Sequence, residues 1–279
     1  TLGAIFFKES KFKVREFGFS EEALWVFGEK GYGLWQGQEE NALENLTSRS
    51  FSDAGWHVMR NNRDYLLVSC GPNGQKGNGG HAHNDKLSFE LCLDGEDIII
   101  DPGTYVYTPE PDMRNLFRST AYHNTVLIEG MEQNRIPCGY SGLFSLVDDA
   151  GAGAMAWDCT GDNVSFMGEH RGFHAKGITH KREISFQKGD GTIRIKDRLQ
   201  GPRASSGVAI FHLHPDRKTA RTGESIMLSD KIHVQFHGSD GITLSEYFYS
   251  HQYGNKERSQ AIKVIFHGEL ITDIRRIHG

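Results

Sequence analysis

Short runs of alternating apolar and polar residues, separated by glycines, extend along most of this chain. They occupy residues 65–70, 86–101, 123–130, 182–199, 207–215, 231–238 and 261–270. Short runs of this kind, bounded by glycine or Asp-Gly turns, are typical of strands in an all-β sandwich or barrel. We therefore predict an all-β fold, an antiparallel β-sandwich of large stacked sheets.

Two hairpins are indicated by their turn residues. Leu93-Asp94-Gly95-Glu96 and Gly189-Asp190-Gly191 each join two runs of strand-forming residues, and Asp-Gly is a preferred dipeptide of tight hairpin turns. Around the second turn, Ile184, Phe186, Ile193 and Ile195 alternate with polar residues. This alternation predicts a sheet with one face in the core and the other in water.

The first fifty residues have a different pattern. The segments FSEEALWVFGEKG (19–31) and EENALEN (39–45) are rich in helix formers. Ser20 followed by Glu21 and Glu22 resembles a capped helix start with acidic residues in its first turn. We predict short helices in a segment 1–50 and one large β-domain over 51–279, since no Pro/Ser-rich linker divides the latter.

Composition and charge narrow the range of functions. The chain has 279 residues and a net charge of -5, from 36 acidic and 31 basic residues, which argues against binding nucleic acid by bulk electrostatics. No stretch approaches the roughly 20 apolar residues of a membrane span. The four cysteines contain no Cys-x-x-Cys pair, so neither a disulfide framework nor a cysteine zinc site is expected.

The stretch 77–130 carries the residues most suited to chemistry. It contains His81, His83, Asp85, Asp101 and His123, framed by apolar runs. Imidazole and carboxylate groups suit a borderline metal such as zinc, which takes about four ligands. If His81 and His83 lie in a strand, they project to the same face, because side chains alternate along a strand. His-x-His pairs are also common on solvent-facing strands, and His212/His214 is interpreted as one of these.

Three ordered blocks in this stretch resemble the heparinase II/III-like family of polysaccharide lyases. They are GGHAHNDKLSFEL (79–91), IIIDPGTYVY (98–107) and FRSTAYHNTVLIEG (117–130), with weaker similarity at 180–186 and 209–216. The resemblance implies cleavage of a uronate-containing acidic polysaccharide, such as a heparin-like glycosaminoglycan or alginate, by β-elimination. It also implies a bacterial periplasmic or secreted setting.

The family architecture is a helical toroid domain followed by a β-sandwich. The resemblance therefore implies that residues 1–50 are the tail of that helical domain, most of which is missing from this chain. The missing domain would be the partner of the β-sandwich, with the polysaccharide bound between the two. Because the helical domain supplies an essential tyrosine in the family, we expect this chain to hold half of an active site and to be inactive alone.

Specific roles follow from the resemblance, position by position. His83, Asp101 and His123 match the ligands of a structural divalent metal, most simply zinc. His81 matches the histidine that faces the substrate, and we assign it a catalytic role. By position, Tyr105, Tyr107 and Arg118 are assigned to substrate binding.

Two other functions remain open from the sequence. A cupin-like metal enzyme would also use His-x-His, but it needs a glutamate three or four residues later, where this chain has Leu87 and Ser88. A non-catalytic glycan-binding β-sandwich would share the fold without the chemistry.

Several histidines and aromatic residues receive structural interpretations. We interpret His170, His174 and His180 as exposed connector or strand-entry residues. Trp56, Phe89 and Phe117 are interpreted as core residues.

Overall fold

The computed structural model describes residues 1–15, 18–40, 46–201 and 206–277 of the chain. These residues divide into two compact units, Thr1–Leu46 and Thr47–Gly279. Within the described ranges, no helix is long and apolar enough to span a membrane.

The first unit is helical. It contains α1 (Leu2–Phe7) and α2 (Glu21–Gln36). The Ser20 side chain accepts a hydrogen bond from the backbone N–H of Ala23 at 3.4 Å, which satisfies one free donor of the first turn. The predicted helix start at Ser20 is thus confirmed. Residues 39 and 40 are not helical, and residues 41–45 of the second predicted helix lie outside the described residues.

The second unit contains two antiparallel sheets. In the described residues, the smaller sheet has five strands in the order β1-β2-β3-β4-β5. Their bounds are β1 (Arg49–Phe51), β2 (Trp56–Arg60), β3 (Tyr65–Ser69), β4 (Phe89–Leu93) and β5 (Glu96–Ile99). A short helix, α3 (Pro111–Phe117), follows this sheet.

The larger sheet has ten strands within the described ranges. They are β6 (Val126–Leu127), β7 (Gly153–Asp158), β8 (Asn163–His170), β9 (Thr179–Gln187), β10 (Ile193–Gln200), β11 (Ser206–His212), β12 (Thr219–Thr222), β13 (Ser225–Leu228), β14 (Ile232–Gln252) and β15 (Asn255–Arg276). Eight of them run in the order β12-β13-β14-β15-β10-β9-β8-β7, while β11 pairs with β15 and with β6.

The core lies between the two sheets. Buried side chains of the small sheet, such as Met59 and Phe89, belong to the same apolar cluster as Phe166, Phe211 and Phe236 of the large sheet. Burial of these inward-facing side chains stabilises the stacked arrangement. The prediction of an all-β antiparallel sandwich is confirmed.

Both predicted hairpins are present. β4 pairs with β5 through the turn at Asp94-Gly95, and β9 pairs with β10 through the turn that contains Gly189-Asp190-Gly191. The alternating Ile184, Phe186, Ile193 and Ile195 are buried. Their polar neighbours line the opposite face, as the alternation predicts.

Several predictions about histidine were wrong. His81 and His83 lie in a loop between β3 and β4 and not in a strand. His170, His180 and His212 are almost completely buried, although we interpreted each as exposed; only His174 of the first group is exposed. Each of the buried three has polar partners in the interior, so burial does not leave their ring nitrogens unsatisfied.

Candidate active site

A cavity of about 450 Å³ lies on the small sheet and the loops that flank it. His81 and His83 reach it from the loop before β4, and Asp101 and His123 reach it from the segments after β5 and before β6. Three separated stretches of the chain therefore bring the predicted catalytic histidine and the three predicted metal ligands to one place.

Within this cavity, His83, Asp101 and His123 form a compact cluster, which we call the His-Asp cluster. His123 Nδ1 and Asp101 Oδ2 are 2.6 Å apart, and the rings of His83 and His123 are 5.2 Å apart. His123 is 1% exposed, and its Nε2 is buried without a hydrogen-bond partner among the described residues. A buried imidazole nitrogen without a protein partner is satisfied by an ordered water or by a bound ion.

The charges of the cluster are coupled. Burial, and then the neighbouring His123, lower the pKa of His83 to about 3. Burial also opposes protonation of His123, but the Asp101 carboxylate outweighs it and raises the pKa of His123. Burial likewise opposes ionisation of Asp101, and the nearby His123 lowers its pKa. Asp101 and His123 thus stabilise each other's charged forms, while His83 stays neutral.

Arg114, on α3, contacts the same cluster from behind. Its side chain is fully buried, its NH1 atom lies 2.8 Å from His83 Nε2, and its guanidinium lies 5.1 Å from the centre of the Tyr107 ring. Its Nε and NH2 atoms have no hydrogen-bond partner in the described part of the chain. Because arginine only donates hydrogen bonds, His83 Nε2 acts as an acceptor in this contact.

A buried hydrogen-bond network positions the two histidine-bearing loops. Asn124, next to His123, donates to the carbonyls of Phe89 and Ile100 and accepts from His212. Arg182 NH1, on β9, donates to the carbonyls of Asn124 and Leu87, each at 2.6 Å.

Leu87 lies at the end of the loop that carries His83. It has a positive φ of 62°, which is unfavourable for a branched side chain and persists only when surrounding contacts enforce it. The bond from Arg182 to the Leu87 carbonyl is one such contact, so Arg182 holds the end of this loop.

The residues predicted to bind substrate have different surroundings. Tyr107 is half-buried, and its ring lies 5.5 Å from that of the exposed His81. The hydroxyl of the half-buried Tyr105 donates to Glu110. Arg118 is fully buried and donates to Asn115 and to the carbonyls of Gly142, Leu143 and Ser145. The structure therefore gives Arg118 a supporting role for residues 142–145 and does not bring it to the cavity.

Sequence reasoning missed several residues that line the cavity. Lys86 and Glu90 belong to the same sequence block as His83 and face the cavity with it. Burial, followed by the negative charges of Asp101 and Asp97, raises the pKa of Glu90 to about 7. Trp56, which we interpreted as core, is 55% exposed and lines the cavity. The interpretation of Phe89 and Phe117 as core residues is confirmed.

The His-Asp cluster has the donor types that zinc prefers, two imidazoles and one carboxylate. As the side chains stand, no group of His, Cys, Asp or Glu in the described residues has the arrangement that holds a metal ion. In this arrangement His123 Nδ1 is hydrogen-bonded to Asp101, and His83 Nε2 is hydrogen-bonded to Arg114. Metal binding would exchange these hydrogen bonds for metal–ligand bonds, and the unpartnered His123 Nε2 supplies one free donor atom.

Comparison with known proteins identifies what the chain is similar to. The family described as Heparinase II/III-like, C-terminal matches residues 44–278. A heparin-sulfate lyase of Bacteroides stercoris is 23% identical over 221 residues, which are 75% of this chain and 30% of that protein. A heparin-sulfate lyase of Pedobacter heparinus is 28% identical over 98 residues, which are 33% of this chain and 14% of that protein.

Solved structures agree in fold. A heparinase III structure has a TM-score of 0.69 and 20% identity, and the match covers 92% of this chain and 40% of that one. The heparan sulfate lyase HepC of Pedobacter heparinus also has a TM-score of 0.69, with 16% identity and the same coverage. This chain thus spans well under half the length of these relatives.

Proposed function

Because this chain belongs to the heparinase II/III-like C-terminal family, we propose that it forms one wall of the active site of a polysaccharide lyase. The substrate class is a uronate-containing acidic polysaccharide. Heparan sulfate is the first candidate, because the similar curated proteins are heparin-sulfate lyases. The observation that carries the proposal is the exposed His81 in the cavity that also contains the His-Asp cluster.

The reaction is β-elimination at a uronate. A base removes the C5 proton, the C4–O bond breaks, its electron pair leaves with the glycosidic oxygen, and that oxygen takes up a proton. The product carries a C4=C5 double bond. The C5 proton is weakly acidic because the adjacent carboxylate is already negative, so the site must stabilise the added charge.

His81 and Lys86 are the residues of this chain suited to those tasks. We assign His81 as the base at C5, because its imidazole is exposed at the cavity, where it can accept a proton from a bound sugar. Lys86 also lines the cavity, with its side chain almost completely buried in the cavity wall. Its ion pair to Asp85 Oδ1 is 3.4 Å long, and we assign its positive charge to attraction of the uronate carboxylate.

We also propose that His83, Asp101 and His123 bind one zinc ion. When bound, the ion supplies a structural brace between the loops that carry these residues. His83 cannot accept from Arg114 while it binds metal: coordination through Nε2 uses that lone pair, and coordination through Nδ1 leaves a proton on Nε2. Arg114 must therefore release His83 when the metal binds.

In this proposal the chain supplies some of the catalytic residues, and a second domain supplies the others. The leaving oxygen also needs a proton donor, and in the family to which this chain belongs a helical domain supplies an essential tyrosine. We therefore keep the expectation that the chain alone is inactive and that a preceding helical domain completes the site.

A chimaera tests the proposed function directly. This chain would replace the matching C-terminal segment of the Bacteroides stercoris lyase, and heparan sulfate and alginate would be offered as substrates. We expect unsaturated uronate product from the chimaera and none from its His81→Ala variant, which should still bind the polysaccharide. A folded chimaera that is inert on both substrates, or full activity without His81, would contradict the proposal. Binding without turnover and without dependence on His81 would favour a glycan-binding module.

A further inference from the structure

A group of exposed and half-buried aromatic rings extends from the cavity across the surface of the β-domain. It consists of His81, Tyr107, Phe144 and Tyr253, which we call the aromatic ridge. Tyr107 lies at its centre, with ring centroids 5.5 Å from His81, 5.7 Å from Phe144 and 5.8 Å from Tyr253. Phe144 is 38% exposed and Tyr253 is 59% exposed. Contiguous exposed apolar surface of this kind marks a binding site more often than a scattered single residue does.

The ridge is assembled from distant parts of the chain, and each part is fixed. Tyr253 lies in the turn between β14 and β15, where Ser250 N donates to the Pro102 carbonyl and Gly254 N donates to the Tyr105 carbonyl. Gly103 allows this approach, because a side chain there would collide with the carbonyl of Ser250. The hairpin tip is therefore joined to the loop that carries Asp101 and Tyr107.

Phe144 is fixed by a different contact. It ends a 3-10 turn, Tyr140–Phe144, and the buried Arg118 donates to three carbonyls of residues 142–145. The ring of Phe144 is thus presented on a rigid support. Rigid aromatic side chains lose little conformational entropy when they bind a ligand.

Two cations lie near residues of the ridge: Lys256 is three residues after Tyr253 in sequence, and Arg114 contacts the ring of Tyr107. The ammonium group of Lys256 lies 4.2 Å from the centre of the Tyr105 ring, and no ion pair to Lys256 occurs among the described residues. The buried guanidinium of Arg114 lies behind Tyr107. Flat rings with cations beside them suit a ligand that has apolar C–H faces and anionic groups, since the face of an aromatic ring is electron-rich.

We propose that the aromatic ridge binds the pyranose rings of an acidic polysaccharide next to the residue that reaches His81. Phe144 and Tyr253 would stack on successive sugar rings, and Lys256 would bind a carboxylate or sulfate group. This inference rests on the proposed function, because it assigns the ridge to the same substrate. It adds that the substrate must extend beyond the reacting sugar, so that binding depends on chain length.

Calorimetric titration of the 279-residue chain with a heparan sulfate octasaccharide tests the ridge. We expect Tyr253→Ala and Phe144→Ala to weaken binding about fivefold each, from the loss of one ring contact. Tyr253→Phe should bind like the wild type because it keeps the ring, whereas Tyr253→Leu should behave like the alanine variant. Tyr140→Ala is the matched control: Tyr140 is 68% exposed in the same turn as Phe144 but has no ring contact among the described residues, so binding should not change.

Three results would overturn the ridge assignment. They are the absence of saturable binding by the wild type, wild-type affinity in both alanine variants, and wild-type affinity in Tyr253→Leu. Wild-type affinity in Tyr253→Leu would mean that the surface requires an apolar side chain and not a flat ring, as a surface that binds another protein does. Zinc content and chimaera activity are measured on the same variants. If the chimaera gives no product while Tyr253→Ala still weakens binding, the proposed lyase function is wrong, but the ridge still binds the polysaccharide. If the chimaera is active and Tyr253→Ala binds like the wild type, the ridge assignment alone is wrong.

Discussion

Replacing Arg182 with methionine should destabilise the β-domain and weaken metal binding at the same time. Arg182 and Asp197 are both fully buried, and the guanidinium contacts both carboxylate oxygens, at 2.7 and 2.9 Å. The same guanidinium holds the carbonyls of Leu87 and Asn124. The variant therefore leaves a buried carboxylate without its cation and releases both histidine-bearing loops.

The magnitude follows from burial. Removing one partner of a buried ion pair costs about 3 to 5 kcal/mol, because the other charge remains buried and unpaired. Arg194 and Asp273 provide the matched control, since they form the same two-point contact at 2.7 and 2.9 Å, with Arg194 61% exposed. Arg194→Met should cost less than about 1 kcal/mol, as exposed pairs do.

Guanidinium denaturation at pH 7 measures both free energies of unfolding, and calorimetric zinc titration measures the site. We expect zinc affinity to fall about tenfold in Arg182→Met, as for other residues that orient metal ligands, and to be unchanged in Arg194→Met. The double variant Arg182→Met/Asp197→Leu should be more stable than Arg182→Met, because no unpaired charge remains. A loss below about 1 kcal/mol in Arg182→Met, or a double variant that is less stable than the single one, would refute this reasoning.

Three further predictions concern the site and the core. Arg114→Met should bind zinc about tenfold more tightly than the wild type, because the metal no longer displaces a hydrogen bond from His83; equal or weaker binding by calorimetry would count against this displacement. Asp197 should make the fold acid-sensitive: burial opposes its ionisation, but Arg182 and His180 lower its pKa to about 2. Its contribution to the free energy of unfolding, on the order of 2 kcal/mol, is present above about pH 4 and is lost as the pH falls through about 2. The difference in melting temperature between the wild type and Arg182→Met/Asp197→Leu should therefore change between pH 4 and pH 2 and not between pH 5 and 7. Finally, the chain alone should give no unsaturated uronate from heparan sulfate or alginate, as followed by the ultraviolet absorbance of the product; robust turnover would contradict the half-site proposal.

Local turn chemistry and alternation made much of the fold predictable. The turns at Asp94-Gly95 and Asp190-Gly191 are specified by adjacent residues, so the hairpins need no distant information. The side chains that meet in the cavity could also be predicted. His83, Asp101 and His123 lie in three blocks that resemble the family, and the resemblance implies that the three residues are neighbours in space.

What the sequence could not reveal depends on distant contacts. A strand histidine such as His180 has the same neighbours in sequence whether its face lies in water or against a buried carboxylate. Arg114 and Arg118 are one helical turn apart, but their roles differ through distant contacts. Arg118 donates to carbonyls of residues 142–145, whereas Arg114 donates to His83. Tyr253 contacts Tyr107 from a hairpin tip that lies more than half of the β-domain away in sequence, so no local pattern signals the aromatic ridge.

Zinc content measured on the purified chain decides whether His83, Asp101 and His123 form a metal site. Three proteins are loaded with zinc, dialysed and analysed by elemental mass spectrometry: the wild type, His83→Ala, and His174→Ala as an exposed histidine control. We expect about one zinc ion per chain in the wild type and in His174→Ala, and none in His83→Ala. Zinc retained after removal of His83, or a folded wild type that holds no zinc, would contradict the assignment of His83, Asp101 and His123 as a metal site.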